Sequence, residues 1–123
     1  MEKLSIPEEQ AMQALWEIGE GNVKSILEQL PEPQPPYTTL ASTVKNLEKK
    51  GYLQSRLVGN MYLYRPSLTE ADYKRRFMGQ FIKTYFDNSY KELVNFFVQE
   101  KQLGEDELQE IIQLIEKRKT GKP

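Results

Sequence analysis

One apolar stripe near the middle of the chain constrains the fold more than any other feature. Leu40, Val44 and Leu47 recur at intervals of four and three residues, and at about 100° per residue they lie on one narrow face of a helix. Gly51 follows, and glycine adopts the left-handed backbone that ends many helices without strain. The stretch 37–51 is therefore predicted to be a helix that packs one face against a core.

The opposite face of this helix is small, hydrogen-bonding and basic. By the same helical geometry, the outward positions are Thr38, Ser42, Lys45 and Lys49, with Ala41 and Asn46 at the flanks. Short polar side chains and lysines of this kind suit a groove of DNA. A solvated surface is the alternative, and the charge distribution and the neighbouring elements favour DNA over it.

Two helices are predicted ahead of this central one, the second of them short. Ser5 and Glu8 fit a capping box that starts the first helix, and the run 19–21 breaks it at its glycines. Asn22 can cap a short second helix, which the proline-rich run 31–36 cannot continue. The order indicates three packed helices with a rigid connector before the third.

A β-hairpin is predicted directly after the central helix. Tyr52–Val58 and Met61–Arg65 are β-rich runs, and the Gly59-Asn60 pair between them suits a tight turn. Strand alternation places Leu53, Ser55 and Leu57 on a face toward the helices and Arg56 on the face toward solvent or phosphate. Three helices followed by a hairpin are typical of a winged helix-turn-helix.

Three further helices with wide apolar faces are predicted in the C-terminal half, separated at 87–89 and at Gly104. Their apolar positions include Tyr73, Phe77, Phe81, Tyr85, Leu93, Phe97, Leu108, Ile111 and Ile115. A ligand pocket could use such aromatic residues, but few other elements remain to cover these faces, which favours a dimerisation surface. We therefore predict a winged-helix domain at 1–66 and a helical dimerisation domain at 67–123, with a frayed basic tail from Lys117.

The residue types exclude several classes of site. The 123 residues include no cysteine and no histidine, which excludes disulfides, thiol catalysis, histidine acid–base chemistry and nearly all transition-metal sites. The acidic groups Glu8-Glu9 and 105–107 lie where first helical turns are predicted, a normal place for acids. We predict no catalytic residue, no metal site and no cofactor, and we do not expect an enzyme.

Positive charge is concentrated in the central stretch. The net charge of the chain is −1, but residues 1–36 carry two Lys and seven Glu, whereas residues 37–65 carry five Lys or Arg and one Glu. The second segment is thus at +4 and the first at −5, which is an electrostatic footprint for phosphate on the helix and hairpin. With no apolar run near the roughly 20 residues of a membrane span and no apolar segment behind Met1-Glu2-Lys3, we expect a cytoplasmic protein without membrane insertion.

Five short motifs occur in a fixed order along the chain. They are Leu15-Trp16, Thr39 to Val44, Leu47 to Leu53, Tyr62 to Pro66 and Leu103 to Leu108. Their order and spacing resemble those of the penicillinase repressor (BlaI/MecI/CopY) family, over nearly the whole chain. The resemblance implies a homodimeric winged-helix repressor, and many members control β-lactam resistance genes. By position it implies DNA contacts from the central helix and the hairpin, at Thr38, Thr39, Ala41, Ser42, Lys45, Arg56 and Asn60.

The resemblance also implies a way to relieve repression. In β-lactam-responsive members, a membrane sensor protease signal leads to cleavage of an Asn-Phe bond in the dimerisation domain. This chain offers Asn95-Phe96, although alignment of Phe97-Val98 with the family's Phe-Val places Phe96 on the amino side. A sensor-linked protease is thus an implied partner. The copper-responsive branch carries paired cysteine motifs, which this chain lacks.

We interpret the sequence as a mainly α protein with one small β-hairpin that represses transcription as a homodimer on a pseudo-palindromic operator. The alternative is a winged-helix module in which the Thr/Ser/Lys face binds a partner protein. Salt dependence separates the two, because neutralisation of phosphates makes DNA affinity fall steeply with salt.

Overall fold

The computed structural model of the protein describes the backbone of residues 2–120 and the side chains of residues 2–119. Its elements are α1 (Ile6–Ile18), α2 (Val23–Gln29), α3 (Tyr37–Lys49), β1 (Leu53–Val58), β2 (Met61–Pro66), α4 (Glu70–Phe86), α5 (Tyr90–Gln99) and α6 (Glu105–Thr120). The predicted mainly α fold with a small antiparallel hairpin is confirmed. The chain divides into two compact units, Met1–Arg75 and Arg76–Pro123, here called the N-terminal and C-terminal units. The functional domain boundary that we predict at residue 66 stays a prediction.

The N-terminal unit is built around one apolar core, to which α1, α2 and α3 each contribute. Its largest fully buried side chains are Met12, Leu15, Ile26, Leu40, Val44 and Leu47. The stripe of α3 predicted from its spacing is therefore the face that enters this core. Each such side chain contributes about 1.5–3 kcal/mol of transfer free energy when it leaves water, so the stripe fixes which face of α3 remains outside.

Local capping starts the first two helices, and a glycine ends the first, as predicted. The Glu8 amide donates to the Ser5 hydroxyl, and the Glu8 carboxylate accepts from the Ser5 amide, which completes the capping box. α1 ends at Gly19, whose φ is 84°. The Asn22 side chain accepts from the Ser25 amide at 2.8 Å and so caps α2. Both helix starts are thus encoded within four residues of sequence.

The hairpin, called the wing below, follows α3 through a tight helix stop. Gly51 has a φ of 86°, and the Gly51 and Tyr52 amides donate to the carbonyls of Glu48 and Leu47, which is the Schellman arrangement. Tyr52 was predicted to open the first strand, but β1 begins at Leu53, because the Tyr52 amide is used to end the helix. The Tyr52 ring is buried in the core.

The two strands of the wing pair in antiparallel register around Gly59-Asn60. Gly59 has a φ of 64°, as expected at the first central position of a two-residue hairpin turn. Leu53 is buried as predicted, but Leu57 on the same face is 58% exposed. The prediction for Leu57 is therefore wrong, because the tip of the wing extends past the helices that cover its base.

The C-terminal unit contains most of α4 together with α5 and α6. The start of α4 belongs to the N-terminal unit, where the Thr69 hydroxyl accepts from the Asp72 amide in the first turn of the helix. The predicted interruption at 87–89 contains two residues with positive φ, Asp87 and Asn88. Gly104 directly precedes α6, which extends to Thr120. The predicted fraying from Lys117 is therefore wrong up to Thr120, and residues 121–123 lie outside the described residues. No helix within residues 2–120 is long and apolar enough to cross a membrane.

Candidate nucleic-acid interface

The solvent face of α3, called the recognition helix below, holds the polar positions predicted from the helical geometry. Six of the seven predicted residues on it are exposed, namely Thr38, Thr39, Ser42, Lys45, Asn46 and Lys49. The seventh, Ala41, is half-buried and packs against the core. The face is therefore a continuous strip of short hydroxyl and amide side chains with two lysines, bordered by one methyl group.

One face of the wing is turned toward the recognition helix. Side chains alternate along a strand, and the Ser55 hydroxyl on this face donates to Glu48 at 2.5 Å. Tyr62, which pairs with Leu57 across the hairpin, has its ring centroid 5.6 Å from the Lys45 ammonium nitrogen. The structure thus brings Lys45 together with Tyr62, a wing residue outside the predicted set of DNA contacts.

Arg56 lies on the other face of the wing, paired with an acid from the α1–α2 turn. Its Nε and Nη2 donate to the two carboxylate oxygens of Glu20 at 2.8 and 2.9 Å. This donation raises the pKa of Arg56, and the same hydrogen bonding, more than the nearby positive charges, lowers the pKa of Glu20. The guanidinium remains largely exposed, but part of its hydrogen-bonding edge is already occupied.

Glu20 reaches Arg56 because the turn that carries it is joined to the wing. The Gly21 amide donates to the Tyr64 carbonyl at 3.0 Å, and the Tyr64 amide donates back to Gly21 at 2.8 Å. This bridge adds a third short segment beside β2. No local pattern predicts the Glu20–Arg56 pair, since the two residues are 36 positions apart.

A second cation near the recognition helix is also paired with an acid. The Lys50 ammonium donates to Glu8 at 2.8 Å, and the Glu8 side chain is 8% exposed. Burial by itself raises the pKa of Glu8, but hydrogen bonds from Lys50 and Ser5 outweigh it and hold that pKa below its ordinary value. Donation to Glu8 raises the pKa of Lys50. Lys45 and Lys49 therefore carry the exposed positive charge of α3. The Lys50–Glu8 ion pair instead links the C-terminal end of α3 to α1.

Asn60 occupies the tip of the wing and is exposed. The tip region from Leu57 to Tyr62 contains no charged residue, and four of its apolar side chains are largely exposed, namely Leu57, Val58, Met61 and Tyr62. The Asn22 side-chain amide donates to the Met61 sulfur at 2.9 Å. The tip is therefore apolar and uncharged, in contrast to the basic recognition helix beside it.

Of the residues predicted for dimerisation, Tyr73 is part of the N-terminal unit. Its ring lies 5.4 Å from that of Trp16 and 6.1 Å from that of Tyr52, measured between centroids. Its hydroxyl donates to Glu9, and burial, reinforced by this bond, raises the pKa of Tyr73. Tyr73 and Phe77 are four residues apart on one helix, but Tyr73 packs against the core of the N-terminal unit and Phe77 belongs to the C-terminal unit. Helical periodicity does not show this difference.

The other predicted dimerisation residues are in the C-terminal unit, where none of them is fully buried. Along α4 the ring of Phe81 contacts those of Phe77 and Tyr85, at centroid distances of 6.2 and 5.0 Å. Phe77, Tyr85, Phe97, Ile111 and Ile115 are exposed, whereas Phe81, Leu93 and Leu108 are half-buried. Ile82 is the only buried hydrophobic residue among residues 76–119. This unit therefore presents much apolar surface to solvent.

The candidate bond Asn95-Phe96 lies within α5, which runs from Tyr90 to Gln99. Both residues are exposed at the level of their side chains, and the Phe96 ring contacts that of Phe86 at 5.9 Å. The backbone of this bond is helical. Among residues 2–120, no group of three or more acidic, cysteine or histidine side chains is arranged to hold a metal ion.

Comparison with known proteins identifies one family and several similar chains. A family model described as penicillinase repressor matches residues 4–117. The penicillinase repressor of Bacillus licheniformis is 24% identical over 121 residues, which cover 98% of this chain and 94% of that protein. The methicillin resistance regulatory protein MecI of Staphylococcus aureus (strain N315) is 23% identical over 118 residues, covering 94% and 95% of the two chains. A solved CopR repressor is 29% identical, covers 55% of this chain and 99% of its own, and has a TM-score of 0.47.

Proposed function

This chain belongs to the penicillinase repressor family of transcriptional regulators, and we propose that it represses its target gene by binding a pseudo-palindromic operator as a homodimer. The observation that carries the proposal is the exposed Thr/Ser/Lys face of α3, held outward by the burial of Leu40, Val44 and Leu47. In this proposal the recognition helix of each protomer enters the major groove. Two such helices read half-sites about one helical turn apart.

The residues proposed to contact DNA divide by the chemistry of their side chains. The side chains of Thr38, Thr39, Ser42 and Asn46 can donate hydrogen bonds to phosphates and can both donate and accept at base edges. Ala41 offers a methyl contact to thymine. Lys45 and Lys49 contribute positive charge. Asn60 and the unpaired edge of Arg56 extend the contact to flanking backbone. Because Arg56 already shares its charge with Glu20, we expect it to add less affinity than Lys45.

The exposed apolar faces of the C-terminal unit support the homodimer. A monomer that left Phe77, Tyr85, Ile111 and Ile115 in water would forgo the burial that stabilises most helical units. A second copy offers the matching surface under two-fold symmetry. Joining two recognition helices also makes the second binding event intramolecular, which raises operator affinity without new contacts.

The target and its control are proposed from the family. The relatives named for penicillinase and methicillin resistance suggest a β-lactam-resistance-type gene as the target. Relief of repression would then come from a sensor-linked protease that cuts at Asn95-Phe96. The protein itself acts in the cytoplasm, by binding DNA without catalysis or a cofactor.

Selection of genomic fragments tests the proposal directly. The full chain is incubated with fragments of its source genome, and bound fragments are sequenced. We expect enrichment of a short inverted repeat with half-sites about 10 base pairs apart centre to centre, bound with an affinity that falls steeply as salt is raised. Absence of any enriched sequence, together with salt-independent binding of a protein partner, would refute operator binding and favour the interaction module.

Lys45→Ala tests the role of the recognition helix. If Lys45 contacts a base, we expect the loss of about 1–3 kcal/mol of operator binding and relaxed preference at one position; if it contacts phosphate, all sequences weaken alike and the salt slope falls by about one. Titration of labelled operator at several salt concentrations measures both. Lys3→Ala, an exposed lysine at the N terminus, is the matched control. Unchanged affinity in Lys45→Ala would remove α3 from its proposed role.

A further inference from the structure

Two large side chains on the wing tip, on the side that faces the recognition helix, do not pack in the core. Leu57 and Tyr62 pair across the hairpin, and 58% and 51% of their respective surfaces remain exposed. Tyr64, two residues further along the same face, is buried in the core. The exposed position of Tyr62 therefore contributes little to the packing of the fold, and its ring is available for another role.

The ammonium group of Lys45 lies over the Tyr62 ring. The distance of 5.6 Å from Lys45 Nζ to the ring centroid is within the range of about 6 Å for a cation–π interaction. Within residues 2–119, no carboxylate lies within salt-bridge distance of Lys45, whereas Lys50 is paired with Glu8 and Arg56 with Glu20. Lys45 is thus held by an uncharged partner.

An aromatic partner and an acidic partner differ in how much of the lysine's positive charge they leave available to DNA. A carboxylate neutralises the charge, so a phosphate or a guanine must compete with it. An aromatic ring restrains the flexible lysine stem and leaves its full positive charge in place. Ordering a long side chain before binding removes part of the entropy cost of ordering it on the DNA.

We propose that Tyr62 is a positioning residue for Lys45. Its ring holds the Lys45 ammonium group at the junction of the recognition helix and the wing, so that the lysine side chain is already ordered before the operator binds. This inference rests on the proposed function and deepens it, because it assigns a part of the DNA interface to a residue outside the set predicted from the sequence. The tyrosine ring, rather than its hydroxyl, carries the role.

The first test compares Tyr62→Leu with Tyr62→Phe in the full chain, on the operator obtained by genomic selection. Loss of the ring is expected to weaken operator binding about three- to tenfold, whereas phenylalanine keeps it near the wild-type value. Leu57→Ala, an apolar truncation on the same face, is the control and is expected to leave affinity unchanged. Equal losses in Tyr62→Leu and Tyr62→Phe would overturn the proposal, because the hydroxyl would then be the contact.

The second test is a double-mutant cycle with Lys45→Ala. If Tyr62 acts through Lys45, Tyr62→Leu should weaken binding in the wild-type background and have almost no effect once Lys45 is removed. A loss of the same size in both backgrounds would show an independent contact and would overturn the positioning role. Thermal unfolding of each variant is measured beside the titrations, since a shared fall in stability would otherwise mimic a loss of affinity.

A spectroscopic measurement tests the contact without DNA. The ring current of Tyr62 should shift the Lys45 ε-methylene protons upfield in the wild-type protein, and the shift should persist in Tyr62→Phe. Unshifted protons in the wild type would overturn the proposal even if Tyr62→Leu failed to fold. A wild-type protein that shows the shift and binds no DNA would refute the proposed function, whereas one that binds DNA with no coupling between the two positions would refute only this inference.

Discussion

At the scale of single residues, some of the central cations are paired with acids, so the number of lysines and arginines overstates the positive charge available to DNA. Residues 37–65 contain five Lys or Arg, but Lys50 and Arg56 are paired with Glu8 and Glu20 from the acidic first segment. Two of the acidic side chains in that segment therefore form ion pairs that hold α3 and the wing in place, and these pairs reduce the repulsion of DNA. What remains exposed on α3 is the pair Lys45 and Lys49.

Glu8→Gln is expected to lower the free energy of unfolding near neutral pH by about 1–2 kcal/mol, because it removes a charge-assisted hydrogen bond. The pKa of Glu8 is depressed below 4.5 in the folded protein, so its contribution is fully present above the unfolded pKa and disappears as pH falls through the folded one. The two proteins should therefore converge in stability under acid. Denaturant titrations from about pH 7 to about pH 3 measure the difference.

Glu17→Gln is the matched control for this prediction, since Glu17 is an exposed acid on the same helix. Its stability should differ little from that of the wild type at any pH. A difference between Glu8→Gln and the wild type that stayed constant into acid would contradict the assigned role of the Glu8 charge.

At the scale of elements, the end of the recognition helix decides where the wing begins. The left-handed backbone of Gly51 lets two consecutive amides close the last turn of α3. The chain then enters β1 directly, and the Tyr52 ring is buried in the core. The helix stop therefore sets the geometry that brings Tyr62 beside Lys45.

Gly51→Ala is expected to destabilise the protein by about 1–2 kcal/mol, the cost of a left-handed conformation for a residue with a Cβ atom. A Cβ atom at this position meets nothing within 4 Å, so the cost comes from the backbone and not from a clash. Gly79→Ala is the control: its added Cβ also meets nothing within 4 Å, but Gly79 lies inside α4 without positive φ. Alanine there should stabilise by about 0.5–1 kcal/mol, and denaturant unfolding of both variants checks the opposite signs.

At the scale of the whole molecule, the two units differ in how they bury apolar surface. The N-terminal unit has a continuous core, whereas the apolar side chains of α4, α5 and α6 within the C-terminal unit are mostly exposed. Such a unit is expected to gain its stability from association, so that folding and assembly are linked.

Phe81→Ala is expected to cost about 3 kcal/mol through lost burial and cavity formation, the low end of the range for phenylalanine because the ring is half-buried within one chain. The Phe81 ring contacts those of Phe77, Tyr85 and Phe86, so its removal should loosen the proposed interface and dissociate or unfold the dimer at low concentration. Sedimentation and the concentration dependence of the unfolding temperature measure this. Ile6→Ala, an exposed apolar residue on α1, should change neither. A wild-type chain that sediments as a monomer at micromolar concentration would end the dimer proposal.

Induction by proteolysis is expected to produce a cut within α5, with Asn95-Phe96 as the bond. Because a protease binds extended backbone and this bond is helical, local opening must precede the cut. Mass spectrometry of the repressor from induced cells should show the two fragments, and Phe96→Ala should reduce their amount and keep the target gene repressed. An intact chain in cells whose target gene is switched on would instead indicate release by a ligand or a partner.

The sequence by itself determined the features that depend on neighbours a few residues apart. The capping box of Ser5 and Glu8, the cap at Asn22, the buried stripe of α3 and the stop at Gly51 all involve short separations along the chain. Helical and strand periodicity, together with glycine and capping chemistry, is sufficient to predict such features. The order of elements and the exposed face of α3 follow from them.

The tertiary structure alone decided which distant side chains meet. Glu20 and Arg56 are 36 residues apart, and Tyr73 and Glu9 are 64 apart, so no local pattern encodes either contact. The same holds for Tyr62 beneath Lys45 and for the exposure of Leu57, because both depend on how far the wing extends past the helices. Periodicity shows which face of an element is apolar. Only the tertiary packing shows which other elements cover that face and which of its residues they leave exposed.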